Sequence, residues 1–160
     1  MRAASNPPRL RPRWKEVEIV ACKSYAEAVV ILDAGLRIDC CCELVSHSRA
    51  RCADGSFAKP LWIAVVFHGS HIVTYHRDGS YTLDSCGQRT TRIRRKINKF
   101  SPGQIRTEKS APVARWALLT EIDSASFRDG MTVGRDGSLS GFKAARSMES
   151  AQLRREAIDY

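Results

Sequence analysis

Leu61-Trp62-Ile63-Ala64-Val65-Val66-Phe67-His68-Gly69-Ser70-His71-Ile72-Val73-Thr74-Tyr75-His76-Arg77-Asp78-Gly79-Ser80-Tyr81-Thr82-Leu83-Asp84 carries the strongest β signal in the chain. It holds three runs rich in β-branched and aromatic residues, separated by two glycine turns. Leu61 to Phe67 is apolar on both faces, as a central strand buried on two sides must be. Gly69-Ser70 reads as a two-residue hairpin turn with glycine first, and Asp78-Gly79 turns the chain again. His71–His76 and Tyr81–Asp84 then return as the second and third strands. The expectation is an antiparallel meander over residues 61–85, with Phe67, Ile72 and Leu83 in its core.

Downstream, Arg89 to Phe100 changes period. At 100° per residue, Ile93, Ile97 and Phe100 fall within about 60° of one another, and Arg92, Arg95, Lys96 and Lys99 cover the rest. This is a short amphipathic basic helix, stopped by Ser101-Pro102-Gly103. Gln104–Glu108 and Val113–Thr120 read as one more hairpin around Ala111-Pro112, with Trp116 as its core anchor. Asp129-Gly130 and Asp136-Gly137 bracket a short strand at Met131–Gly134.

Upstream, Ser24-Tyr25-Ala26-Glu27 matches a capping box, in which Ser24 caps the Glu27 amide and Glu27 reaches back to Ser24. The helix should run from Tyr25 to about Ala34 and stop at Gly35. Alternation of Val17, Ile19 and Ala21 with charged residues predicts a short strand over Lys15–Ala21. Residues 36–60 lack a clear period; a strand near Arg37–Leu44 and a shorter one before the Asp54-Gly55 turn are expected. The fold class is therefore α+β: a small antiparallel sheet with an N-terminal helix, a basic helix after the third meander strand, and a C-terminal helix. Residues 1–14 read as a basic extended arm, 15–140 as one domain, and 141–160 as a helical tail with the weak stripe Phe142, Ala145 and Met148.

The chain has 160 residues, 43% of them hydrophobic, enough for one domain with its own core. Mean hydropathy is −0.31 and no apolar run approaches a membrane span. There is no signal peptide in the basic, proline-punctuated start, so a cytoplasmic location is expected. The 26 Lys and Arg against 17 Asp and Glu give +9. That excess is local. Arg2, Arg9, Arg11, Arg13 and Lys15 occur without an acid in residues 1–15. Arg89, Arg92, Arg94, Arg95, Lys96 and Lys99 occur without one in residues 86–100, and the remainder is slightly negative. Clustering of this kind suits either a solvated helix face or a contact surface for a polyanion or an acidic protein.

Six cysteines, Cys22, Cys40, Cys41, Cys42, Cys52 and Cys86, invite a metal reading. Cys42-x4-His47-x4-Cys52 matches two spacings of a zinc knuckle, but the knuckle's first cysteine falls at Asp39, and Cys40 is one residue too close. Asp39 or Cys40 would have to complete the set. The knuckle's glycine is also missing, so no structural zinc is expected and the thiols read as small hydrophobes. His68, His71 and His76 are separated by strand geometry. No Gly-x-Ser-x-Gly, Walker loop, His-Glu-x-x-His or dinucleotide fingerprint is present, and neither an enzyme activity nor a cofactor is expected.

His68-Gly69-Ser70-His71-Ile72-Val73, Asp78-Gly79, Leu83, Ser85-x-Gly87, Thr90 and Lys96-Ile97-Asn98 together resemble a family of small uncharacterised bacteriophage and prophage proteins. Its core reads H-x-T-x-I-V, a DG turn, and L-x-S-G-G-W/Y-x-T-x-T-T-K-x-R-I-N, followed by a tryptophan strand that Trp116 fits. The likeness covers residues 61 to 120 and extends more weakly upstream. Cys86 stands at a family glycine, Gln88 at its aromatic, Arg92 and Ile93 at its two threonines, and Arg94 at its lysine. The resemblance implies a phage-encoded accessory protein of the host cytoplasm and no particular reaction. Two functions are expected from it and from the charge. One is nucleic-acid binding through Arg89, Arg92, Arg94, Arg95, Lys96 and Lys99 with the arm residues Arg9, Arg11 and Arg13, with Thr90, Thr91 and Asn98 adding backbone contacts. The other is inhibition of a host protein or nucleoprotein machine, of the anti-defence or anti-CRISPR kind.

Overall fold

A computed structural model describes residues 20–47, 51–55, 57–109 and 115–140. The basic arm, most of the expected Lys15–Ala21 strand and the C-terminal tail lie outside these residues; Val20 and Ala21 themselves are not in a strand.

The N-terminal helix α1 spans Tyr25–Asp33 and Gly35 follows at φ +63°, the left-handed conformation that releases the chain. Ser24 accepts from the Glu27 amide at 3.3 Å, as the capping box requires. The reciprocal bond differs: the Glu27 carboxylate takes the amide of Lys23, at 2.7 Å, rather than that of Ser24.

Strand β1 covers Cys42–Ser46, later than the expected Arg37–Leu44. Residues 36–41 are instead an irregular, bent segment in which Ile38 and Asp39 are buried, Asp39 against Lys96 and Lys99 of the later helix. Of the second strand expected before Asp54-Gly55, the described residues show an isolated bridge between Arg51 and Phe57.

Strands β2 (Trp62–Phe67), β3 (Ser70–His76) and β4 (Tyr81–Leu83) form the meander, all antiparallel. Phe67, Ile72 and Leu83 are buried, and Ile63 to Phe67 are buried without a break. The first turn is displaced by one residue from its expected position. His68 and Gly69, at φ +48° and +79°, are its central pair, while Phe67 and Ser70 close the ladder. Two positive φ values make a primed turn of the first type, whose twist matches the strands. A bulge in β3 opposite Val65/Val66 leaves Ile72 as the extra, buried residue.

Helix α2 spans Thr91–Phe100, with Thr90 as its cap, and so starts two residues later than expected. Strands β5 (Gln104–Glu108), β6 (Arg115–Leu119) and β7 (Ser124–Ser126) make a separate three-stranded sheet. Strands β8 (Met131–Val133) and β9 (Leu139–Ser140) extend the meander into a six-stranded sheet in the order β1-β2-β3-β4-β8-β9. The fold is thus α+β with antiparallel sheets, and one buried cluster draws on both of them. It includes Ile31 of α1, Ile97 and Phe100 of α2, Tyr75 of the large sheet, and Trp116 and Leu118 of the small one. At its centre the Tyr75 hydroxyl lies 2.9 Å from the Cys22 carbonyl oxygen and also against that of Phe100, so its single proton serves one at a time. Among the described residues no helix is long and apolar enough to cross a membrane.

Candidate functional site

The basic helix docks as its period requires. Ile93, Ile97 and Phe100 are each at most 5% exposed and face the core, where α2 contacts β3 and β5. Thr90 accepts the Ile93 amide at 3.3 Å, so its hydroxyl oxygen caps the helix. Asn98 is likewise occupied: its amide nitrogen donates to the Ile105 carbonyl at 3.0 Å and its oxygen takes the Ile105 amide at 2.7 Å, fixing α2 to β5. Thr91 remains exposed.

The six cations around this anchor are not equivalent. Arg89 donates through Nη2 to the Phe127 carbonyl at 3.1 Å, and its guanidinium lies 6.0 Å and 5.7 Å from the Trp116 and Phe127 ring centres. It holds the segment leading into α2 against Trp116 of the small sheet and against Phe127. Arg94 donates to the Thr107 hydroxyl on β5. Lys96 and Lys99 both donate to Asp39 Oδ2, at 2.6 Å and 2.7 Å. The Asp39 side chain is only 5% exposed; burial alone would raise its carboxyl, but bonds from Lys96, Lys99, Cys40 and the Cys41 amide hold it well below the usual carboxylate range. The same contact raises the Lys96 ammonium. The other two cations do not pair with Asp39. Arg92 is exposed and lies 5.2 Å above the Phe67 ring, and Arg95 is exposed without a partner among the described residues. Of the four cations expected on the exposed face, Arg92, Arg95 and Lys99 are exposed, and Lys96, at its flank, stands half-buried over Asp39. Arg9, Arg11 and Arg13 lie outside the described residues.

The Ser85-x-Gly87 element also acquires a role. The Ser85 amide and hydroxyl both donate to Asp129 Oδ1 at 2.6 Å, and the Gly87 amide donates to Oδ2 at 3.1 Å. These bonds tie the turn that leads into α2 to the turn that leads into β8.

Cys42, His47 and Cys52 do not converge. Cys42 is buried, His47 packs edge-on to Trp62, and Cys52 is exposed. Among the described residues, the metal-type donors that do approach one another, within 4.8 Å, are Asp39, Cys40 and Cys41. Two ammonium groups already occupy Oδ2 of Asp39, and Arg92 adds positive charge beside them, so this cluster opposes a cation rather than attracting one. Sequence reasoning missed this cluster and the Asp39 pairing. The available signal was that Lys96 and Lys99 are three apart, on one helix face, where a single carboxylate can serve both.

No protein-family model, no curated protein and no solved structure matches this chain.

Proposed function

We propose that the chain is a non-enzymatic, phage-type accessory protein that binds nucleic acid through the solvent face of α2. The observation that carries this reading is the arrangement of that helix. Three buried apolar side chains fix it to the sheets, while Arg92 and Arg95 stand exposed with no carboxylate partner among the described residues. A guanidinium held on a rigid element can meet a phosphate with two parallel hydrogen bonds and little loss of side-chain freedom. Lys99, 40% exposed, flanks them and can share its charge between Asp39 and a phosphate. Arg89 and Arg94 position the helix, and the arm residues Arg9, Arg11 and Arg13 would add sequence-independent attraction. The resemblance of residues 68 to 98 to phage proteins supports a host-cytoplasm setting.

Titration of fluorescently labelled single-stranded DNA, duplex DNA and RNA oligonucleotides tests the reading. The expected result is binding to at least one of them that weakens steeply with salt. Failure to bind any of the three at low salt would transfer the face to an acidic protein partner and overturn the assignment.

A further inference from the structure

The turn between α1 and β1 places two adjacent cysteines in unlike surroundings. The sulfurs of Cys40 and Cys41 are 3.2 Å apart. Cys40 is exposed, and its thiol lies 3.1 Å from Asp39 Oδ1. Asp39 is itself buried and held by Lys96, Lys99 and the Cys41 amide, so it cannot turn away. Both neighbours of the Cys40 sulfur can accept its single proton, one at a time, and an ionised Cys40 would face the Asp39 carboxylate. Cys41, half-buried, meets the opposite: the Cys40 thiol, the Arg92 guanidinium and the charge of Lys96 all favour its ionised form. The hydrogen bond from Cys40, with Lys96 and Arg92, outweighs burial and lowers the Cys41 thiol. The hydrogen bonds to Cys41 and Asp39 raise that of Cys40. Neighbouring Cys42 is buried and pushed up to about 11. A low thiol beside a proton-holding thiol is the division of labour of a nucleophile and its resolving partner.

We propose that Cys40 and Cys41 are a redox-active pair in which the Cys41 thiolate attacks a hydroperoxide and Cys40 resolves the product to a Cys40–Cys41 disulfide. In the first step a sulfur–oxygen bond forms at Cys41 as the peroxide O–O bond breaks, and the departing oxygen takes a proton from solvent to leave as water or an alcohol. Cys41 is then a sulfenic acid. In the second step the Cys40 sulfur attacks Cys41, the S–S bond forms, and the hydroxyl departs with the Cys40 proton as water. The two thiols lose two electrons and one hydroperoxide gains them. Arg92 and Lys96 serve twice, stabilising the attacking thiolate and the negative charge that develops on the leaving oxygen. A disulfide between adjacent residues closes a small strained ring, which makes it readily reducible and the pair reversible. The proposal shares Arg92 with the nucleic-acid face of α2, but its test reads cysteine chemistry with no nucleic acid present.

The test uses the reduced full chain, treated with hydrogen peroxide in the presence and absence of dimedone and followed by mass spectrometry resolved to each cysteine. Exposed Cys52 and Cys86 are internal controls in the same molecule. The expected result is that Cys41 oxidises roughly tenfold or more faster than either control, as its thiolate character requires. The wild type should lose the mass of two hydrogen atoms, with the bond located between Cys40 and Cys41. The Cys40→Ser variant should stop at a dimedone-trapped sulfenic acid on Cys41, Cys42→Ser should behave as wild type, and Arg92→Gln should slow the reaction. The proposal is overturned if Cys41 reacts no faster than Cys52 and Cys86, a comparison that needs no variant. It is also overturned if Cys40→Ser abolishes the fast reaction, or if the wild type accumulates the sulfenic acid without closing the disulfide.

Discussion

Lys96 on α2 places its ammonium 2.6 Å from the carboxylate of Asp39, a residue 57 positions earlier in the chain. This contact pins the turn between α1 and β1 against the basic helix, and it sets how much of the helix charge is available to a partner. With Lys99 on the same carboxylate oxygen, one buried acid restrains two of the six cations.

Removing that acid has two effects of opposite kind. Asp39→Asn should cost about 1–3 kcal/mol of stability, because charged hydrogen bonds are lost at a buried site, and should tighten polyanion binding by freeing Lys96 and Lys99. The wild-type carboxyl is held below its unfolded value, so its stabilisation is present above about pH 4 and is lost as the pH falls from there toward the folded value. Denaturant melts from pH 3 to 7 should show that acid-side loss in the wild type and a flatter profile in Asp39→Asn. Parallel profiles would show that the pair contributes nothing.

The two faces of α2 should fail differently. Ile97→Ala opens a cavity at a fully buried site and should cost about 2–5 kcal/mol. Arg95→Ala, at an exposed site, should change stability by no more than about 0.5 kcal/mol. Urea unfolding of both variants checks the contrast, and equal losses would mean that the helix is not anchored by its apolar stripe.

Asp129 is expected to be a structural acid. It accepts from the Ser85 amide and hydroxyl and from the Gly87 amide, and these bonds lower its carboxyl although burial opposes them. Asp129→Ala leaves the buried Ser85 donors without that partner and should cost about 2–3 kcal/mol. A thermal melt unchanged from wild type would remove this role.

The hairpin turn supplies a backbone test. Gly69→Ala places a side chain at φ +79° and should destabilise by about 1 kcal/mol, whereas His68→Asn, at φ +48°, should be neutral or stabilising because asparagine suits the first position of this turn. Chemical denaturation of the two variants should separate them in that order.

The meander was legible because its strands are local and bounded by glycine turns, and Ile93, Ile97 and Phe100 because three residues at helical spacing have one solution. Turn register was not: His68 at positive φ is chosen by the pairing of Phe67 with Ser70, which only the assembled sheet enforces. Strands β7 and β9 escaped because three and two residues carry no periodicity. Strand β1 was misplaced because residues 36–60 lack a clear period and nothing local reveals that Asp39 is buried against Lys96. The same long-range pairing, which ties Lys96 and Lys99 to one carboxylate, has no local signature on α2.

If Arg92 and Arg95 contact phosphates, the salt dependence of binding to a short DNA duplex should differ between the wild type and the Arg92→Ala/Arg95→Ala double variant. The log–log slope should become shallower by roughly 0.9 for each lost phosphate contact, close to 2 in all, with weaker affinity at every salt concentration and the melting temperature almost unchanged. A double variant with the wild-type slope and affinity would contradict the account and leave α2 as a solvated face.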